Sequence, residues 1–217
     1  MSRRQIAQEL ECNFNASGET VIHPDDIIRI DSQIKPPKHR TGFDRNFWIW
    51  EEYNPENTYL LSADVARGDG NDYSVFHVFK LVTMEIIAEY QGKVTPDMFS
   101  EIISNAGHEY GGCMVVVENN SVGYTVLDKL IEKEYPNIYF SVKSTHEYVD
   151  QLAAESRSGT VAGFTTSLKT RPLLVAKFEE FVRNRIITIY SSRLRSELDI
   201  FIWNNGRPEA QRGYNDD

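Results

Sequence analysis

Three strand-like segments follow one another with no room for a helix between them, and this spacing most limits what the chain can fold into. Residues 58–64, 73–80 ("YSVFHVFK") and 82–91 ("VTMEIIAEYQ") are rich in β-branched and aromatic residues, and only one or two residues separate the last pair. Such short connections close antiparallel neighbours, so an antiparallel meander is expected. The pattern then changes. "TPDMFSEIISNAGHEYG" has Thr95 as an N-cap, Pro96 at the first helical position, apolar residues at helical spacing and terminal glycines. "CMVVVEN" (113–119) is a continuous apolar run of the kind buried on both faces of a sheet. A helix ended by Pro136 and a strand at 137–143 ("NIYFSVK") follow, and strands reached through helical crossovers pair in parallel. Beyond a polar loop near residues 145–165, "TRPLLVAKFEEFVRN" reads as a helix, "RIITIY" as a strand, "SSRLRSELDIF" as a helix, and "FIWNNGRPEA" as a hairpin on an Asn-Gly turn.

The order β-β-β-α-β-α-β-α, antiparallel first and parallel afterwards, is that of the ribonuclease H-like (resolvase/integrase-type) mixed α/β sheet with flanking helices. Residues 1–45 hold one short helical pattern, an apolar scrap "TVIHPDDIIRI" and the proline-rich "KPPKHR", and read as a connector; residues 46–217 read as the domain. At 217 residues and 41% hydrophobic content, one large domain with an appendage can bury a sizeable core. No apolar run approaches the roughly 18 residues needed to span a bilayer, and the N-terminus has no signal-peptide pattern, so an intracellular, membrane-free protein is expected. Cys12 and Cys113 stand far apart and in no zinc-ligand spacing, which points to reduced thiols.

Two carboxylates stand out. Asp64 ends the first strand of the meander in "LSADVARGDGNDYS", and Glu118 ends the run 113–119. In the expected sheet those strands are neighbours, and both acids emerge at one edge. Singly, an aspartate before a glycine-rich turn or a glutamate leaving a strand is commonplace. Together they repel one another unless a cation sits between them. A third acid at the start of a final helix, from the closing "RGYNDD", would complete the oxygen shell that magnesium or manganese prefers. Asp72 either joins that shell, directly or through a water, or caps the turn.

Other chemistries lack their motifs: there is no GxSxG, HExxH or GxxxxGK[ST] in the chain. The five histidines show no metal-ligand spacing, and His77, inside a strand, reads as a core histidine. A net charge of −9 opposes nucleic-acid binding over most of the surface, yet Arg157 to Arg195 holds eight basic residues against Glu179 and Glu180.

"LSADVARGDGNDYSVFHVF", "VVVENNSVGYTVLDKL", "GFTTSLKTRPLLVAKFEEFVRN" and "RSELDIFIWNNGRPEAQRGYNDD", with the N-terminal "MSRRQIAQELECNF", together resemble the C-terminal nuclease domain of the large terminase subunit of contractile-tailed bacteriophages over nearly the whole chain. The resemblance implies a ribonuclease H-like endonuclease that cuts concatemeric double-stranded viral DNA when head filling begins and ends, in the cytoplasm of the infected bacterium. It implies two Mg2+ or Mn2+ ions held by Asp64, Glu118 and Asp217, with Asp216 as the alternative third ligand. DNA would be held by Arg157, Lys169 and Arg171, and the partners would be a packaging ATPase domain, a portal protein and a small terminase subunit. Family members carry an ATPase with a phosphate loop, which is missing here. Met1 is therefore expected to be an engineered start or the chain a fragment, with residues 1–45 the tail of that motor. The chain also stops at Asp217, where the family continues into a helix. The competing readings are a noncatalytic DNA- or protein-docking module and an actin-like phosphotransferase, which would need a second similar half.

Overall fold

The computed structural model describes residues 20–68, 70, 72–120, 122–142 and 159–211. By packing, the chain divides into two units, one of residues 37–166 and one built from the segments before Pro37 and after Thr166.

The first of these units is the mixed sheet. Its strands are β1 (His39–Thr41), β2 (Phe47–Ile49), β3 (Tyr59–Asp64), β4 (Ser74–Lys80), β5 (Glu85–Gly92) and β6 (Met114–Val117), in the spatial order β1-β2-β5-β4-β3-β6. β3, β4 and β5 form the expected antiparallel meander, and β6 lies parallel to β3. This is the ribonuclease H-like arrangement. The chain reaches β6 through α2 (Pro96–Glu109), where the Thr95 hydroxyl accepts from the Met98 amide as the sequence indicates. α3 (Gly123–Glu132) follows β6. Phe76, Phe99, Ile103, Leu61, Val115 and Leu130 fill the core between sheet and helices, and Phe76 stacks on Tyr90 with ring centroids 5.5 Å apart. Tyr135 donates to the Cys113 carbonyl, and burial pushes the Cys113 thiol up to about 11. His77 sits opposite Glu89 with its Nε2 3.2 Å from Glu89 Oε2, so it has the partner expected of it but is half-buried and lies outside the core.

One strand departs from expectation. Among its described residues, 137–142, the segment 137–143 makes a single parallel bridge to β6, at Ile138 opposite Val115. It then becomes β7 (Phe140–Val142) and turns to an antiparallel partner, β8 (Thr160–Ala162). The place beside Glu118 is taken instead by Phe164. Gly163, at φ +78°, makes that substitution possible: a Cβ there would stand 2.5 Å from the Val117 carbonyl oxygen.

The other unit holds α1 (Pro24–Asp31), α4 (Thr170–Arg183), β9 (Thr188–Ile189), α5 (Ser192–Ile200) and the hairpin β10 (Phe201–Asn204) with β11 (Arg207–Ala210). Asn205 and Gly206 both have positive φ, as a tight Asn-Gly hairpin turn requires. The apolar scrap read as connector is a helix: His23 caps it, Pro24 opens it, and Ile27 and Ile30 are buried one turn apart. Val21 N–H donates to the Phe201 carbonyl at 2.9 Å, and Arg195 grips both oxygens of Asp31 at 2.6 and 3.1 Å. No helix among the described residues is long and apolar enough to cross a membrane.

Lys80 is buried at the end of β4 with its ammonium 2.7 Å from Glu51 and 2.5 Å from Glu85. Burial alone lowers its pKa; the two carboxylates outweigh that, and the net shift is upward. Its stabilisation is therefore complete below the ordinary lysine value and is lost only as pH rises through the folded one. Lys80→Met is expected to lose about 2–3 kcal/mol at pH 7, less than for a fully buried pair because Glu51 is partly exposed. Urea melts of the two proteins at pH 7 would measure it.

Candidate active site

Along β3 the side chains alternate between core and partial exposure until the strand ends at Asp64, which is exposed. Parallel pairing sets Ala63 against Val117, so the next residues, Asp64 and Glu118, leave adjacent strands at the same C-terminal edge. The Glu118 N–H donates to the Ala63 carbonyl at 2.9 Å and extends the ladder to the last residue before the acids. Ligands of open α/β sheets bind outside such carboxyl ends.

Each acid is held by its own local structure. Asp64 Oδ1 accepts from the Val65 N–H at 2.7 Å, which folds the carboxylate back over the turn. That turn is fixed by Ser74, whose fully buried hydroxyl lies 3.1 Å from the Ala66 nitrogen and 3.3 Å from the Ala66 oxygen. Glu118 Oε1 accepts from Asn120 Nδ2 at 2.6 Å, and the same amide donates to the Thr166 carbonyl at 3.0 Å. Asn119, completely buried, donates through Nδ2 to the Ala162 carbonyl at 2.8 Å and accepts at Oδ1 from the Thr165 hydroxyl at 2.9 Å. Its backbone N–H reaches the Phe164 carbonyl at 2.9 Å. The two asparagines thus clasp residues 162–166 against the end of β6. They are the site residues that sequence reasoning missed. The available signal was a polar pair leaving an apolar strand, since buried amides in such a place must find partners.

The remaining sequence candidates separate. Asp72 is exposed beyond the turn. Among the described residues no group of three or more His, Cys, Asp or Glu side chains stands close enough to hold a metal, so Asp72 does not join Asp64 and Glu118 in one cluster. Lys169 and Arg171 belong to the other unit. Lys169 is exposed just before α4, and Arg171 Nε donates to the Pro208 carbonyl at 3.3 Å, which ties α4 to β11. Arg157, Asp216 and Asp217 lie outside the described residues.

Asp64 and Glu118 offer only hard carboxylate oxygens. That donor set fits Mg2+ or Mn2+, ions that keep several waters and accept one or two protein carboxylates. It does not suit a thiolate- or imidazole-seeking metal.

No known protein-family model matches the chain. Among solved structures, it is similar to the large terminase nuclease from thermophilic phage G20c with bound magnesium, with a TM-score of 0.65, 18% identity, and 92% of each chain covered. It is also similar to the Thermus phage P74-26 large terminase nuclease domain, with a TM-score of 0.58, 20% identity, and 88% of each chain covered. The fold is therefore that of large terminase nuclease domains, the same class of protein that the sequence resembles.

The clasp separates stability from function. Asn119→Ala should destabilise the protein by about 2–3 kcal/mol, because it strips two side-chain hydrogen bonds from a fully buried position. Asn120→Ala, at an exposed position, should leave the melting temperature nearly unchanged while freeing the Glu118 side chain. Paired thermal melts decide this.

Proposed function

We propose that the chain is a divalent-metal-dependent endonuclease that hydrolyses double-stranded DNA during bacteriophage genome packaging. The observation that carries this reading is the adjacency of Asp64 and Glu118 at the carboxyl edge of paired parallel strands. The fold shared with large terminase nucleases, one of them holding magnesium, supports it. In this reading the substrate is concatemeric viral DNA, cut with little sequence preference at the start and end of head filling in the host cytoplasm. A packaging ATPase domain, a portal protein and a small terminase subunit are its partners in this reading.

Asp64 and Glu118 would hold two Mg2+ or Mn2+ ions, with Asp217 or Asp216 as the third acid. When bound, such ions supply Lewis-acid activation of water and neutralise charge on the scissile phosphate. The protein's own groups do the positioning. The Val65 amide orients Asp64, and the Asn120 amide orients Glu118 without neutralising it. Lys169 and Arg171 are proposed to contact the DNA backbone, with Arg157, so that affinity falls with salt by a log-log slope of about −0.9 per phosphate contact.

The test is cleavage of supercoiled plasmid with magnesium, manganese or EDTA. Wild-type protein is expected to nick and linearise the plasmid only with the metals, and Asp64→Asn to reduce cleavage to the EDTA level while still shifting DNA in a gel. Cleavage unchanged by Asp64→Asn would overturn the assignment of Asp64. A folded chain that binds DNA and never cuts it would leave the noncatalytic docking module as the better reading.

A further inference from the structure

The turn after Asp64 carries one cation, Arg67, and it rests against a segment that carries a second, Lys93. Gly68 has φ +82°, and a Cβ there would lie 2.3 Å from the Val94 carbonyl oxygen and 3.1 Å from the Thr95 nitrogen. The turn is thus pressed flush against the backbone that leads from β5 into α2. This contact brings exposed Arg67, three residues past Asp64, to the segment carrying exposed Lys93. The antiparallel ladder between β4 and β5 ends at Ser74 opposite Gly92, so one step further Tyr73 faces Lys93. The Lys93 ammonium lies over the Tyr73 ring, 4.9 Å from its centroid, and Tyr73 is 37% exposed.

Such an arrangement has a specific chemical use. An ammonium held over an exposed aromatic face loses part of its conformational freedom but keeps N–H donors for an anion. An arginine on the abutting turn adds a second, planar donor. Both cations stand at the sheet edge where Asp64 emerges, Arg67 on the turn after it and Lys93 on the segment which that turn touches, in a protein whose net charge is −9. Evenly spread charge on such a protein would repel DNA.

We infer that Arg67 and Lys93 form a phosphate-binding clamp beside Asp64 for the backbone of duplex DNA, with Tyr73 as the positioning residue for the Lys93 ammonium. The inference rests on the nuclease reading and gives it substrate contacts in the same unit as the two acids. Lys169, Arg171 and Arg157 come from the basic stretch and its expected place near the cleft.

The experiment measures binding and cleavage separately. Binding of a fluorescently labelled duplex by the full chain is followed by anisotropy in EDTA from 50 to 200 mM salt, with plasmid cleavage in magnesium run in parallel. Lys93→Gln and Arg67→Gln are each expected to weaken binding at the low-salt end and to reduce the log-log salt slope by about 0.9. Tyr73→Ala should weaken binding by about threefold. Tyr73→Phe, which keeps the ring, should restore it. Lys129→Gln, on α3, removes the same charge elsewhere as a control. Slopes and affinities that match wild type, or changes no larger than that control, would overturn the clamp even if the protein cuts DNA. Salt-slope losses confined to Lys93 and Arg67 in a protein that never cuts would support the clamp while overturning hydrolysis. A chain that binds no duplex at any salt would overturn both.

Discussion

The pairing of β3 with β6 is the constraint on which the site depends. Parallel strands end at the same edge of a sheet, and here the register sets Ala63 beside Val117. The acids that follow each strand have no choice but to emerge together. A slip of one residue in either strand would turn its side chains to the opposite faces and exchange buried valines for carboxylates, at a large penalty in burial. The apolar content of β6, with Val115 and Val117 fully buried, therefore fixes the position of Glu118 as firmly as any direct contact does.

Around this pairing the protein solves a second problem, that of holding a negative group steady without neutralising it. Glu118 is anchored by the Asn120 amide, which is itself anchored to the Thr166 carbonyl. A lysine in that place would fix the carboxylate equally well and compete with any metal for it. Lys80 shows the other solution in the same unit: there a buried cation pairs with both Glu51 and Glu85. The contrast between an amide-held and a lysine-held carboxylate separates a candidate metal site from a structural ion cluster within one unit.

Much of this was legible in the sequence because it is local. The meander follows from connections too short for crossovers, α2 from Thr95 and Pro96, and the β10–β11 hairpin from Asn205 and Gly206. The adjacency of Asp64 and Glu118 followed once the strand order was inferred. What escaped depends on distant contacts. Nothing near residue 118 indicates that Phe164 will lie beside it, because that contact needs the positive φ of Gly163 and the clasp of Asn119. The run at 137–143 reads as a full parallel strand, but among its described residues the parallel bridge to β6 stands at Ile138 alone, and Phe140–Val142 pairs instead with Thr160–Ala162. The facing of Tyr73 and Lys93 depends on a register shift between Val78 and Phe79 in the β4–β5 ladder, which no sequence pattern specifies. By contrast α1 was readable: His23, Pro24 and the buried Ile27 and Ile30 are ordinary helix signals, hidden by the proline-rich text after them.

The β7–β8 hairpin carries a wider implication. Its two strands close on one another between Phe140 and Ala162, so the residues they enclose begin and end at neighbouring points of the fold. That pairing, with the bridge from Glu118 to Phe164 two residues past β8, sets the chain beside the acidic edge through strand register and not through the length of the stretch between the two strands.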